Sequence, residues 1–320
     1  MKRRFLTVVA LVALCLITLT LTISSGVAQL QDVSGFETPG RPASEPEIKS
    51  PPSAPGFSTQ CALQPEKKGK PSPFRSTVQA LGVAPGSITL SRFRQDSSKT
   101  GSADKTPIAS LFNQRLTAFT PKEEIVLIDP TNYGDRYFKD IYGNPALLDP
   151  IVVLHETVGS AYSTLNFFRT PHLRDEDQAS YHTLIKLDGT VVYMVPPDKR
   201  AYGAGNSSFK GQSVKTNADL PGSVNNFAYH ISLETPYDGN DNGYSHSGYT
   251  QAQYQSLAWL VAKTGVPDDR ITTHRDVDRS GSRIDPRSFQ FSRFMALLKT
   301  YPRTSEIAIG CTVPTETPQS

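Results

Sequence analysis

Short apolar runs rich in β-branched residues recur between residues 123 and 274, divided by polar segments carrying glycine or proline. They predict strands at EEIVLID (123–129), PIVVLH (150–155), YHTLIKL (181–187), TVVYMV (190–195), AYHISLE (228–234) and RITTH (270–274). Asp188-Gly189 between the third and fourth runs suits a tight hairpin turn. A different period marks the helices. In TQAQYQSLAWLVAKTG, Thr250 with Gln253 three residues on forms a capping-box signature, Tyr254, Leu257, Ala258 and Val261 recur at helical spacing, and Gly265 suits the stop. SFQFSRFMALLKTY repeats the amphipathic pattern, with Phe291, Phe294, Leu298 and Tyr301 as the apolar stripe, and AYSTLNFFR (161–169) predicts a shorter helix. Strands alternating with helices predict an α/β fold, a mixed central β-sheet flanked by helices, in one domain over residues 106–302.

Outside that region the pattern changes. Residues 1–28 place Lys2, Arg3 and Arg4 before a long apolar run that ends near Gly26-Val27-Ala28. This layout predicts an export signal, and so a periplasmic, wall-associated or secreted protein. The run approaches the roughly 20 residues that cross a bilayer, so an uncleaved anchor stays open as a second reading. Residues 29–105 are rich in Pro, Ser, Gly and Lys without apolar periodicity and predict a largely disordered linker, in which STVQALGV (76–83) is a short apolar interlude. Residues 303–320 read as a polar tail.

The leader also decides the charge. The chain holds 33 basic and 30 acidic residues, and the leader carries three of the bases and no acid. The remainder is balanced, which removes the general field that would gather nucleic acid or an anionic membrane. Beyond the leader only Cys61 and Cys311 remain, and in an exported chain an even pair predicts a disulfide. The alternative is two unpaired thiols.

The candidate chemistry lies at strand ends. His155 closes IVVLH, and His274 closes RITTH, from which a turn-rich loop with Ser280-Gly281-Ser282 leads to Asp285-Pro286. Strand ends at one sheet edge converge on a common surface. Two imidazoles and a carboxylate leave zinc a fourth, open position, and zinc so bound lowers the pKa of its water to about 7. Each residue also has an ordinary reading: a hydrogen-bonded histidine at a strand terminus, or an aspartate that starts a turn. His182 and His230, on strands, read as buried and hydrogen-bonded; His172 and His246 read as loop residues.

The strings VVLHET, SYHTLIKLDGTVVYMVPPDKRAYGAG, NNFAYHISLETP, YTQAQYQSLAWLV and DRITTHRDVDRSGSRIDPRSFQFSRF, in this order over residues 124–301, resemble the zinc-dependent N-acetylmuramoyl-L-alanine amidases and the related peptidoglycan recognition proteins. The resemblance implies Zn2+ held by His155, His274 and Asp285. It further implies Glu234 as general base or water-orienting group and Tyr181 beside the metal. Where the family often carries lysine two residues before the last ligand this chain has Arg283, which keeps the charge for an oxyanion with a broader, forked donor. The implied activity is hydrolysis of the amide between N-acetylmuramic acid and L-alanine by metal-activated water, in a monomer acting on peptidoglycan muropeptides. A non-catalytic peptidoglycan-binding protein is the alternative, and a structural wall protein working through its Pro-rich segment a more distant one.

Overall fold

The computed structural model describes residues 59–65, 88–95 and 119–313. The expected leader, most of the expected linker, the interlude at 76–83 and the end of the tail lie outside them. Among the described residues eight strands are formed: β1 (Glu123–Ile125), β2 (Tyr133–Asp135), β3 (Ile151–Glu156), β4 (Thr183–Ile185), β5 (Val191–Tyr193), β6 (Lys199–Ala201), β7 (Ala228–Leu233) and β8 (Ile271–Thr273). Four α-helices accompany them among the same residues: α1 (Ala161–Arg169), α2 (Gln251–Ala262), α3 (His274–Val277) and α4 (Phe291–Leu298).

Six strands make one mixed sheet in the order β1-β5-β4-β7-β3-β8. β4 and β5 are the antiparallel hairpin expected at Asp188-Gly189, and Gly189 takes the positive φ that this turn needs. β7, β3 and β8 are parallel to one another, with His155 opposite Ser232 and Leu154 opposite Thr273. Their carboxyl ends therefore meet at one edge, where open α/β sheets place their ligands. The antiparallel pair of β2 and β6 is a second, small sheet that apolar periodicity did not mark.

β3 and β7 are buried along their whole length, as central parallel strands must be. Alternation splits their side chains between two cores. Val152 and Leu154 with Tyr229, Ile231 and Leu233 pack on Leu257, Leu260 and Val261 of α2 and on Phe294 and Leu298 of α4. Ile151, Val153 and Ala228 face the opposite core. The next positions on that opposite face are His155, His230 and Ser232, so the imidazoles leave the sheet on the side away from α2. The expected capping box at Thr250 and Gln253 is formed in both directions.

The packed unit reaches beyond the boundaries expected at 106 and 302. Cys61 and Cys311 are joined in a disulfide, and Gln60 bridges to Thr312 alongside it. Phe93 is buried against Tyr193, while the Arg94 guanidinium grips Glu123 at 2.6 and 2.7 Å. Past residue 302, Ile307 is buried in the α2 core, and Glu306 pairs with Lys263 at 2.8 Å and Arg94 at 3.1 Å. Ile88, Leu90 and Phe93 from the first segment and Ile307 and Ile309 from the second pack on that core, in stretches too short to show a helical or strand period, which is why their pattern reads as linker and tail.

Candidate metal centre

The site begins with β3, whose fifth residue is His155. Its ring is fully buried, and its Nε2 lies 2.9 Å from Nδ1 of His230 on the adjacent strand. Its other nitrogen, Nδ1, is buried without a hydrogen-bond partner and lies 3.5 Å from an Asp285 carboxylate oxygen. β8 delivers His274 directly after Thr273, whose hydroxyl caps the short α3 by accepting from Asp276 N. His274 Nδ1 contacts the two Asp285 oxygens at 3.0 and 3.1 Å. One ligand atom from each of His155, His274 and Asp285 can be chosen so that all lie within 4.8 Å of one another. Asp285 arrives from an irregular loop, and the peptide bond to Pro286 is cis.

The electrostatics suit a cation. Burial holds His155 neutral, its pKa lowered to about 4, so the ring offers a lone pair. Burial alone would push Asp285 up, but the His155 and His274 imidazoles packed against the carboxylate overcome it and hold the carboxyl well below its ordinary range. A buried imidazole nitrogen with no partner, facing a charged carboxylate and a second imidazole, fits a divalent ion of zinc's ligand preference. With Nδ1 of His155 as the ligand atom, Nε2 would carry the proton and donate to Nδ1 of His230 at 2.9 Å, fixing the tautomer from behind.

The remaining predicted residues fall into two groups. Tyr181 comes to the site, with its ring 4.7 Å from that of His155 between centroids. Burial raises its phenol well above the ordinary value, with the Asp285 charge adding to the effect, so the hydroxyl keeps its proton at neutral pH. Arg283 is exposed, and its charge is felt at both His155 and Tyr181. Its approach is set by Asp278, whose carboxylate accepts from the Ser280, Ser282 and Arg283 backbone N–H groups. Glu234 meets backbone donors. Its two carboxylate oxygens accept from Ala161 N at 2.7 Å and Leu187 N at 2.9 Å, tying the start of α1 to the end of β4. A strand-end carboxylate beside free backbone N–H groups at a helix start is drawn to them.

Among the other histidines, His182 is buried and hydrogen-bonded through both ring nitrogens as expected, while His230 is buried with Nδ1 on His155 and Nε2 without a partner. His172 bonds Asn132 through Nδ1 at 3.0 Å. His246, expected in a bordering loop, turns inward to Glu156. Glu156 escaped notice in the sequence, although a carboxylate ending a strand buried on both faces must find partners.

Residues 149–288 match the sequence profile described as N-acetylmuramoyl-L-alanine amidase. The 1,6-anhydro-N-acetylmuramyl-L-alanine amidase AmpD of Salmonella typhimurium strain LT2 is 34% identical over 136 residues, covering 41% of this chain and 62% of that protein. The AmpD of Haemophilus influenzae is 26% identical over 180 residues, or 54% of this chain and 79% of its own. A solved selenomethionine derivative of AmpD aligns at 28% identity over 56% of this chain and 96% of its own, with a TM-score of 0.40. The chain thus spans less than two thirds of the Salmonella relative's length.

Proposed function

On the match of residues 149–288 to the N-acetylmuramoyl-L-alanine amidase profile, we propose that this protein is a zinc hydrolase of peptidoglycan. It cleaves the amide between the lactyl group of N-acetylmuramic acid and L-alanine in muropeptides. The observation that carries this reading is the buried, unpartnered Nδ1 of His155, which faces Asp285 beside His274.

The ion would be held by His155, His274 and Asp285. When bound, zinc supplies Lewis acidity toward the amide carbonyl and water activated for attack near neutral pH. The chain's own residues supply the rest. Tyr181, which holds its proton, would donate to the carbonyl oxygen as negative charge builds there, and the exposed Arg283 would add a second, cationic donor. His230 keeps His155 in the tautomer that binds. Glu234 acts by fixing α1 against β4 rather than by taking a proton. The leader and the Cys61–Cys311 disulfide together support an exported protein in an oxidising compartment.

The test is mass spectrometry of peptidoglycan and of anhydromuramyl peptides after incubation with the wild type and with His274→Ala. The wild type is expected to release free stem peptides beginning with L-alanine. His274→Ala is expected to release none above background, and the chelated wild type is expected to recover on adding zinc. A zinc-loaded wild type that binds sacculi and frees no peptide would establish the binding-protein alternative instead.

A further inference from the structure

The buried carboxylate of Glu156 sits directly behind the ligand set and takes no part in the chemistry above. Oε1 accepts from the Arg287 side chain (Nε, 2.6 Å) and from its backbone N–H (3.2 Å). Oε2 lies 3.0 Å from His246 Nε2, 3.2 Å from the Tyr249 hydroxyl and 3.3 Å from the Thr235 hydroxyl. Gly248 N donates to His246 Nδ1, so the histidine is in its neutral Nε2–H form and donates to Glu156. Glu156 and Arg287 are 2% and 3% exposed, a closed ion pair.

The pair's position in the chain gives it a consequence. Glu156 is bonded covalently to His155, and Arg287 stands two residues after Asp285. The guanidinium also donates to the carbonyls of Asp241 (3.1 Å), Gly243 (2.7 Å) and Gly239 (2.5 Å), holding the loop that leaves β7. Asp285 lies in irregular chain, tied to α3 by one backbone bond in which Arg275 N donates to its carbonyl (2.9 Å), and its own backbone forms no helix or strand that would set the depth of its carboxylate. We propose that the Glu156–Arg287 pair is a positioning device for the metal centre, locking the loop of the third ligand onto the strand of the first. The inference rests on the reading of His155, His274 and Asp285 as a metal centre. It assigns Glu156 and Arg287 to that centre's support, neither of them touching metal or substrate. A merely structural pair would stabilise the fold and leave the ligand geometry to the loop.

Arg287→Lys is the informative variant, because lysine keeps the charge but cannot reach Glu156 and three carbonyls at once. Zinc affinity of the full chain, measured by competition with a chromophoric chelator, is expected to weaken about 10- to 100-fold, as for lost second-layer partners of metal ligands. Glu306→Gln serves as control, since it breaks the buried contacts with Lys263 and Arg94 far along the chain from the ligands. It is expected to lower Tm while leaving zinc affinity within about twofold. An Arg287→Lys protein that melts lower yet binds zinc as the wild type does would overturn the inference. Should Arg287→Lys not fold, Tyr249→Phe removes one donor from Glu156 at nearly constant shape. A severalfold weaker zinc affinity there supports the proposal, and an unchanged one overturns it. A wild type that takes up no zinc would overturn the metal-centre reading itself, an outcome distinct from equal zinc binding by wild type and variant.

Discussion

At the scale of single residues, placement of polar groups against burial governs behaviour. Glu234 lies at the end of a central strand, where the resemblance implies a base, but both its oxygens accept backbone N–H groups. Glu234→Gln is therefore expected to lower Tm, because its amide can accept only one of those two bonds, and to keep kcat within about tenfold of wild type. A fall in kcat of about 100-fold or more at unchanged Tm, the scale of a lost general base, would return the proton to Glu234. The histidines set a second expectation. Burial lowers the pKa of His155 to about 4 and holds His182 and His230 well below their ordinary value. The unfolded chain then binds more protons than the folded one below about pH 6.5. Stability is complete above that pH and falls as the solution is acidified. Thermal melts of metal-free protein between pH 7 and pH 4 should show Tm falling throughout; a flat profile would mean the rings are not buried neutral.

At the scale of elements, the strands carry the site because their pairing aligns it. The parallel register sets His155 beside Ser232, with His230 two residues earlier on the same face. His230 needs Gly203 for its space, since a Cβ there would lie 2.5 Å from the imidazole. Gly203→Ala is expected to displace that ring, costing about 1–3 kcal/mol of stability and weakening zinc binding by releasing the His155 tautomer; calorimetry and chelator competition read the two effects. Thr250→Ala removes the cap of α2, far from the ligands, and is expected to cost about 1 kcal/mol with zinc affinity unchanged. Both helix and hairpin were legible in the sequence, because a capping box and an Asp-Gly turn are local signals. β2 and β6 were not legible, since a three-residue pair held partly by polar contacts such as Lys199 to Asp135 carries no apolar alternation.

At the scale of the whole molecule, the Cys61–Cys311 disulfide closes a loop of 250 residues and joins an early segment to the last described one. In the chain-entropy account such a closure stabilises by about 5 kcal/mol. Replacing both cysteines with serine should lower the denaturation midpoint substantially and leave zinc stoichiometry unchanged, as unfolding curves and metal analysis would show. The expected boundaries at 106 and 302 fell short for a related reason. Phe93, Arg94, Glu306 and Ile307 come from two short stretches without a period of their own, and their partners Tyr193, Glu123, Lys263 and α2 lie far away in sequence.

What the sequence determined by itself is whatever rests on neighbours: strand runs, the capped helix, the hairpin, and histidines at strand ends. Its likeness to a family extended this to a ligand set of three residues separated by up to 130 positions, which the fold brings within 4.8 Å. Only the tertiary structure decided which carboxylates are committed elsewhere. Glu234 bonds two backbone amides, and Glu156, silent in the sequence, becomes the buried partner of Arg287. The physical reason is that a carboxylate's role follows from the donors it meets, and those donors come from segments that only folding brings together.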